Sequence, residues 1–225
     1  MKRVLCIFFL LIVLMTSQAF AGGIPTPAAG DTVTFGRYEQ DNVIDNGPEP
    51  IEWIVLQVED GKAWLLSKNC IEMVIFYPER VPMYWAKTEL RSWMNGEFID
   101  KAFSAEEQEI ILTTAVHNTN PHGMRGAGED TLDKVYLLSY DEVMSFFPEM
   151  ADRVAYPSEY VKAKGCTLSE ETGSCRWWTR TSGARNLDMC GIRLDGRMTK
   201  YGMQDVDWPG NTMRPCMWVQ CDDAR

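Results

Sequence analysis

The sequence predicts an α+β fold of short antiparallel strands with two or three short helices, stabilised by disulfides. Three observations point to it. Short runs of β-branched and aromatic residues are separated by turn-forming clusters such as DNGPEP (45–50) and EDG (59–61). Helical spacing with capping signals recurs in only a few brief segments. An even set of cysteines remains once an export signal is set aside, the usual arrangement of a disulfide-bearing exported chain.

The export signal comes first along the chain. Lys2 and Arg3 precede an apolar run from Val4 to Met15, then Thr16-Ser17-Gln18 and Ala19-Phe20-Ala21. A positive start, an apolar centre and a small-x-small ending read as a signal peptide over residues 1–21, cleaved after Ala21. The run is shorter than the roughly 20 residues that a membrane-spanning helix needs. Cys6 sits inside it and not at the cut, which argues against a lipid-anchored cysteine. No other segment is apolar enough for stable membrane insertion, so the expected location is secreted or periplasmic. Residues 22–30 (GGIPTPAAG) read as a tether and residues 31–225 as a single domain. Loss of Lys2 and Arg3 takes the formal net charge from −10 to −12. A chain this acidic does not bind nucleic acid or anionic lipid through bulk electrostatics.

The elements follow in order. TVTFG (32–36), IEWIVLQV (51–58) and KAWLLS (62–67) read as antiparallel strands. In KTELRSWMNGEF (87–98), Leu90, Trp93 and Met94 share a helical face, with Thr88 as the cap and Gly96 as the end. Ser104 followed by Glu107 is a capping box that opens a second helix through Ile110 and Ile111. KVYLLS (134–139) is strand-like; Ser139 and Glu142 then repeat the capping device, and Pro148 stops the third helix. Beyond Gly165 the pattern returns to strands and loops, with a two-residue hairpin turn at Asp195-Gly196. Cys166 and Cys175 flank a polar stretch, TLSEETGS, where a bridge contributing about 2–3 kcal/mol is expected. Cys190 and Cys216 lie in strand-like runs and are a plausible cross-strand pair, which leaves Cys70 with Cys221. Six cysteines allow about 15 connectivities.

Several blocks in fixed order carry a family resemblance: TVTFGRYEQ, PIEWIVLQVEDGKAWLLSK, LRSWMNGEFID-KAFS, DKVYLLSYDEV, WWTRTSG and RPCMWV. Together they resemble the bacterial domain of unknown function numbered 6273 across nearly all of residues 31–220. The last third also resembles the C-type-lectin-like fold, as in formylglycine-generating enzymes and phage receptor-binding variable proteins. That resemblance implies a compact α+β domain closed by a tryptophan-arginine strand, a glycine turn and a final arginine-rich strand. Thr179 and Cys216 depart from the leucine and alanine usual in the family. With Cys190, they suggest a disulfide particular to this protein.

The stretch SCRWWTRTSG (174–183) poses the choice between ligand site and core. Trp178, Arg180 and Arg214 fall on positions that the family pattern fixes and are assigned structural roles, because buried tryptophan supplies area and guanidinium satisfies several carbonyls. Trp177, on the opposite face of a strand, is the candidate for exposure. The loops SGARNLD and YGMQDVDWPGNT add Arg185, Asn186, Asp188, Tyr201, Asp207, Trp208 and Asn211, a mix suited to polar contacts around aromatic anchors.

His117 and His122 sit in a polar loop whose neighbours offer only Glu129 and Asp130, fewer ligands than a metal needs. GMRGAG lacks the strand-turn-helix setting of a phosphate loop. Asp205, Asp207 and Asn211 lack the acid-amide pairs and tryptophan-asparagine-aspartate triplet of a lectin calcium site. No catalytic residue, metal or cofactor is therefore assigned. Three functions fit. The first is a non-catalytic extracytoplasmic module recognising a glycan, a peptide or another envelope component. The second is a structural envelope protein without a small ligand. The third is a copper-thiolate oxidase resembling formylglycine-generating enzymes, with Cys216 and Cys221 as its thiols.

Overall fold

Alternation of buried and exposed positions builds the first strands. The computed structural model describes residues 22–120, 126–199 and 201–222; the expected signal peptide (1–21) and His122 lie outside them. In β1 (Thr32–Tyr38) and β2 (Glu49–Glu59), Val33 stands opposite Trp53, and Ile51, Trp53 and Val55 share one buried face. β2 turns into β3 (Lys62–Ser67) through Asp60 and Gly61, both at positive φ. Two left-handed residues match the twist of a two-residue hairpin, which is why Asp-Gly stands there.

The remaining strands are β4 (Glu72–Met73), β5 (Thr114–Val116), β6 (Thr131–Asp133), β7 (Tyr136–Leu137), β8 (Trp177–Ser182), β9 (Asp188–Ile192), β10 (Gln204–Asp205), β11 (Thr212–Met213) and β12 (Pro215–Gln220). They form two five-stranded sheets, ordered β1-β2-β3-β12-β7 and β10-β9-β8-β11-β4, and the pair β5-β6. The molecule is thus mixed α/β, with helices of only four to seven residues: α1 (Glu89–Trp93), α2 (Ile99–Ala102), α3 (Ala105–Ile110), α4 (Tyr140–Phe146) and α5 (Glu159–Ala163). None is long and apolar enough to cross a membrane.

The capping signals act as read. Thr88 Oγ1 accepts from the Arg91 N–H, and both capping boxes close, Ser104 with Glu107 and Ser139 with Glu142. Gly96 does not end its helix. It lies within a π turn, Met94–Phe98, that joins α1 to α2. The Asp195-Gly196 turn is also wider than expected, since Arg193 pairs with Arg197 across a three-residue loop. Nor is the 22–30 stretch a free tether. Ile24 is buried and bridges Cys221, receiving the Asp222 N–H and donating its own to Gln220.

The disulfide expectation is corrected. Cys70, Cys166, Cys175, Cys190, Cys216 and Cys221 are all buried free thiols. Cys190 lies in β9 and Cys216 in β12, strands of different sheets. Around the 166–175 loop, the backbone register places Leu168, not Cys166, opposite Cys175. Cys70 bridges Pro157 while Cys221 bridges Ile24, so those two are held on separate neighbours.

Candidate functional site

A carboxylate inside an apolar run starts the site. Glu72 interrupts the stretch Ile71–Phe76 and is buried where β4 meets β11, with Glu72 opposite Met213. A buried charge must be partnered. Tyr38 donates its hydroxyl to Glu72 Oε2 at 2.8 Å, Lys164 donates to Oε1, and the Met73 N–H donates to the same oxygen at 2.8 Å. Burial, then the charge of Glu72, hold the Tyr38 hydroxyl well above its usual range. Burial alone lowers the Lys164 pKa, but the hydrogen bond and charge of Glu72 outweigh it and raise it.

These groups floor a cleft of about 450 Å³, within the range of small-molecule sites. One wall is the α1–π–α2 segment, which supplies Glu89, Trp93, Glu97 and Lys101. Steps of four residues overshoot an α-helical turn by about 40° each and would carry this row off the cleft. The wider π turn between Trp93 and Ile99 draws it back, and π turns recur at functional sites for such reasons. Glu97 and Lys101 pair at 2.6 Å, and that hydrogen bond draws the Glu97 carboxyl below its usual value. The facing wall is α5. Ser158 caps it, and Tyr160 stands edge-on to Tyr38 with Lys164 above its ring at 4.7 Å. Trp93 and Tyr160 are half-buried, leaving aromatic surface toward the opening.

The cleft therefore presents two aromatic rings between two Glu–Lys pairs. Carboxylates accept, ammonium groups donate, and ring faces take apolar C–H surfaces. A smaller cavity of about 180 Å³ lies against Trp64, Tyr136 and Trp218, but its guanidinium, Arg180, is committed to Glu142 and to the Leu137 and His117 carbonyls. Glu39, Asp41 and Glu49 bring carboxylate oxygens within 4.8 Å of one another. Two of these carboxylates serve their own turn: Glu49 accepts from the Gln40 and Asp41 N–H groups, and Asp41 from the Val43 N–H and Asn46.

The sequence placed its candidate site elsewhere, and the structure divides those residues. Trp177 is not exposed. It is as buried as Trp178, because β8 is covered on both faces: the Trp177 indole donates to the Arg153 carbonyl and the Trp178 indole to Val74. Asn186 and Asn211 are also fully buried, whereas Tyr201 is 62% and Trp208 40% exposed. Arg185 lies on Asp188 at 3.4 Å, Asp188 meets Asp205 carboxyl to carboxyl, and Asp207 is half-buried. The 183–188 and 201–206 stretches are laced by backbone bonds such as Ala184 to Tyr201 and Val206 to Leu187. Arg180 and Arg214 are buried, Arg214 donating to the Ser67 carbonyl with Trp177 at 5.4 Å. Cys216 and Cys221 do not converge. Cys216 points its thiol at the Tyr136 carbonyl, and five residues of extended chain separate it from Cys221 by about 17 Å.

Glu72, Tyr38, Tyr160 and Lys164 were missed as site residues, and Trp93 was read only as a helix-face position. One signal was present: a single glutamate in the apolar run IEMVIF, a residue type that is buried only when paired. A family model described as Domain of unknown function (DUF6273) matches residues 60–221, a span that includes Glu72, Trp93, Tyr160 and Lys164. No curated protein and no solved structure matches the chain.

Proposed function

This chain belongs to the family described as Domain of unknown function (DUF6273), and from that premise we propose that it is an exported, non-catalytic binding module whose cleft holds a sugar ring of an extracytoplasmic glycan. The observation that carries the reading is the cleft itself, with Trp93 and Tyr160 set between the Glu72–Lys164 and Glu97–Lys101 pairs. A pyranose offers apolar C–H faces to the rings and vicinal hydroxyls that both donate and accept, which matches this donor and acceptor set. Glu72 is engaged by three donors, which favours an acceptor role over proton transfer. Export rests on the amino-terminal pattern of Lys2, Arg3, Val4–Met15 and Ala19-Phe20-Ala21. The short strands, the small helices and Arg214 just ahead of the closing strand β12 support a C-type-lectin-like arrangement of the carboxyl-terminal half.

The test is binding of the mature chain to an array of envelope and host glycans, followed by calorimetry on any ligand found. Trp93→Ala and Tyr160→Ala should each weaken binding about 10- to 100-fold while leaving the fold intact. Tyr201→Ala and Trp208→Ala serve as controls and should leave affinity unchanged. Loss of binding in the controls with retention in the cleft variants would move the site to the 201–211 loop.

A further inference from the structure

Charge inside the cleft does not balance. Its walls carry three carboxylates, Glu72, Glu89 and Glu97, against two ammonium groups, Lys101 and Lys164. Lys164 is engaged by Glu72 and Lys101 by Glu97. Glu89 is exposed at the first position of α1, and among the described residues no cation pairs with it. Arg91, two residues on, is bound to Asp133 instead, and Lys87 is no part of the cleft wall.

The two rings of the cleft are unlike in the same sense. Lys164 Nζ lies 4.7 Å from the centre of the Tyr160 ring, so that ring already has its cation. Trp93 packs against Phe98 at 5.5 Å, and among the described residues no cation lies over its indole, the ring type that attracts cations most strongly. Trp93 stands four residues after Glu89 on α1, a spacing that holds the two Cβ atoms about 6 Å apart. An unpaired carboxylate beside an open indole is a receptor for an ammonium group: the carboxylate accepts its N–H donors, and the ring face takes its charge. A neutral ligand covering Glu89 would strip water from a charge and leave it unmatched, which is unfavourable. A metal ion fits less well, because calcium asks for six to eight oxygen ligands and the other two carboxylates here are already held by lysines.

We infer that the cleft selects glycans in which a sugar carries a free, protonated amine, and that Glu89 and Trp93 set this preference. The inference rests on the glycan reading above and adds to it the charge of the ring that is held. An N-acetylated sugar has the same ring and hydroxyls but presents a neutral amide where the ammonium would meet Glu89.

The test is calorimetry of the mature chain at about pH 5.5 with three probes: a β-linked glucosamine trisaccharide, its N-acetylated equivalent and trilysine. The amine sugar should bind about tenfold more tightly than the N-acetylated one, equivalent to about 1.4 kcal/mol, the scale of one exposed ion pair added to one cation–ring contact. Glu89→Gln should remove most of that gap and leave the affinity for the N-acetylated sugar unchanged. Glu171→Gln, the same change of charge at an exposed position outside the cleft, should keep the gap. Equal affinity for the two sugars, no binding of the amine sugar, or a gap that Glu171→Gln narrows as much as Glu89→Gln, overturns the inference. Trilysine bound as tightly as the amine sugar also overturns it, by placing a peptide ammonium in the site. Failure of the glycan reading looks different: Trp93→Ala and Tyr160→Ala would then leave the binding of every sugar unchanged.

Discussion

Single side chains in this molecule are set by what burial demands of polar groups. Tyr38 and Tyr136 are the two tyrosines whose hydroxyls burial pushes far above their ordinary value of 10.0, with Glu72 adding to the effect at Tyr38 and nearby Cys216 and Glu142 at Tyr136. A group whose folded pKa is raised contributes stability that is complete below its unfolded pKa and is lost as pH climbs above it. The window is therefore alkaline, opening near pH 10. In a titration followed by tyrosinate absorbance, these two of the eight tyrosines should stay silent until the chain unfolds, and Tyr38→Phe should leave one silent tyrosine. Ionisation of all eight while near-ultraviolet circular dichroism remains native would contradict the burial. Residue roles were only partly legible in sequence. Arg180 and Arg214 were readable because guanidinium in an aromatic strand satisfies carbonyls. Trp177 was not, because strand alternation says which face a side chain takes and nothing about what covers that face.

Elements were legible where the cause of the element is local. Caps at Thr88, Ser104 and Ser139 involve hydrogen bonds three residues away, and the Asp60-Gly61 turn needs only two left-handed residues, so sequence suffices for both. The π turn was hidden, since its cause is tertiary. Asn95 within it donates to the Arg91 and Val135 carbonyls and accepts from the Lys134 and Val135 N–H groups, ties to a segment 40 residues away. The 194–196 loop was misjudged by one residue for a related reason: Gly196 presses against the Met150 backbone, where a Cβ would meet its carbonyl oxygen at 1.9 Å. Gly30 also has positive φ, yet nothing lies within 4 Å of its missing Cβ. Comparing the two separates conformation from contact. Gly30→Ala should cost about 1 kcal/mol through its left-handed backbone. Gly196→Ala should cost about 1–3 kcal/mol more, because the Met150 backbone must move. Equal losses in urea unfolding would mean that the 150–153 segment yields freely.

At the scale of the molecule, the chain closes on itself. β12 sits between β3 and β7 inside the first sheet, so the last strand completes a sheet begun by the first three. Cross-chain closure of this kind is invisible to patterns read along a sequence, which explains why residues 22–30 looked like a tether. Ile24 is 3% exposed, exchanges backbone hydrogen bonds with Gln220 and Asp222, and packs where a Cβ on Gly23 would strike Cys221. Cleavage after Ala21 would leave only Gly22 and Gly23 ahead of that docked residue. The mature amino terminus would then be part of the fold, and cleavage must precede or accompany docking, since the chain on either side of the cut has to be accessible to a peptidase. Amino-terminal sequencing of exported protein should begin at Gly22. Ile24→Ala should destabilise the mature chain by about 2–5 kcal/mol, the cost of truncating a buried isoleucine. A chain starting at Asp31, which lacks the docked segment, should lose at least as much. Export with Met1 retained in a membrane fraction would refute the cleavage, whereas an Ile24→Ala chain of unchanged stability would refute the docking. The two halves of the prediction therefore fail separately.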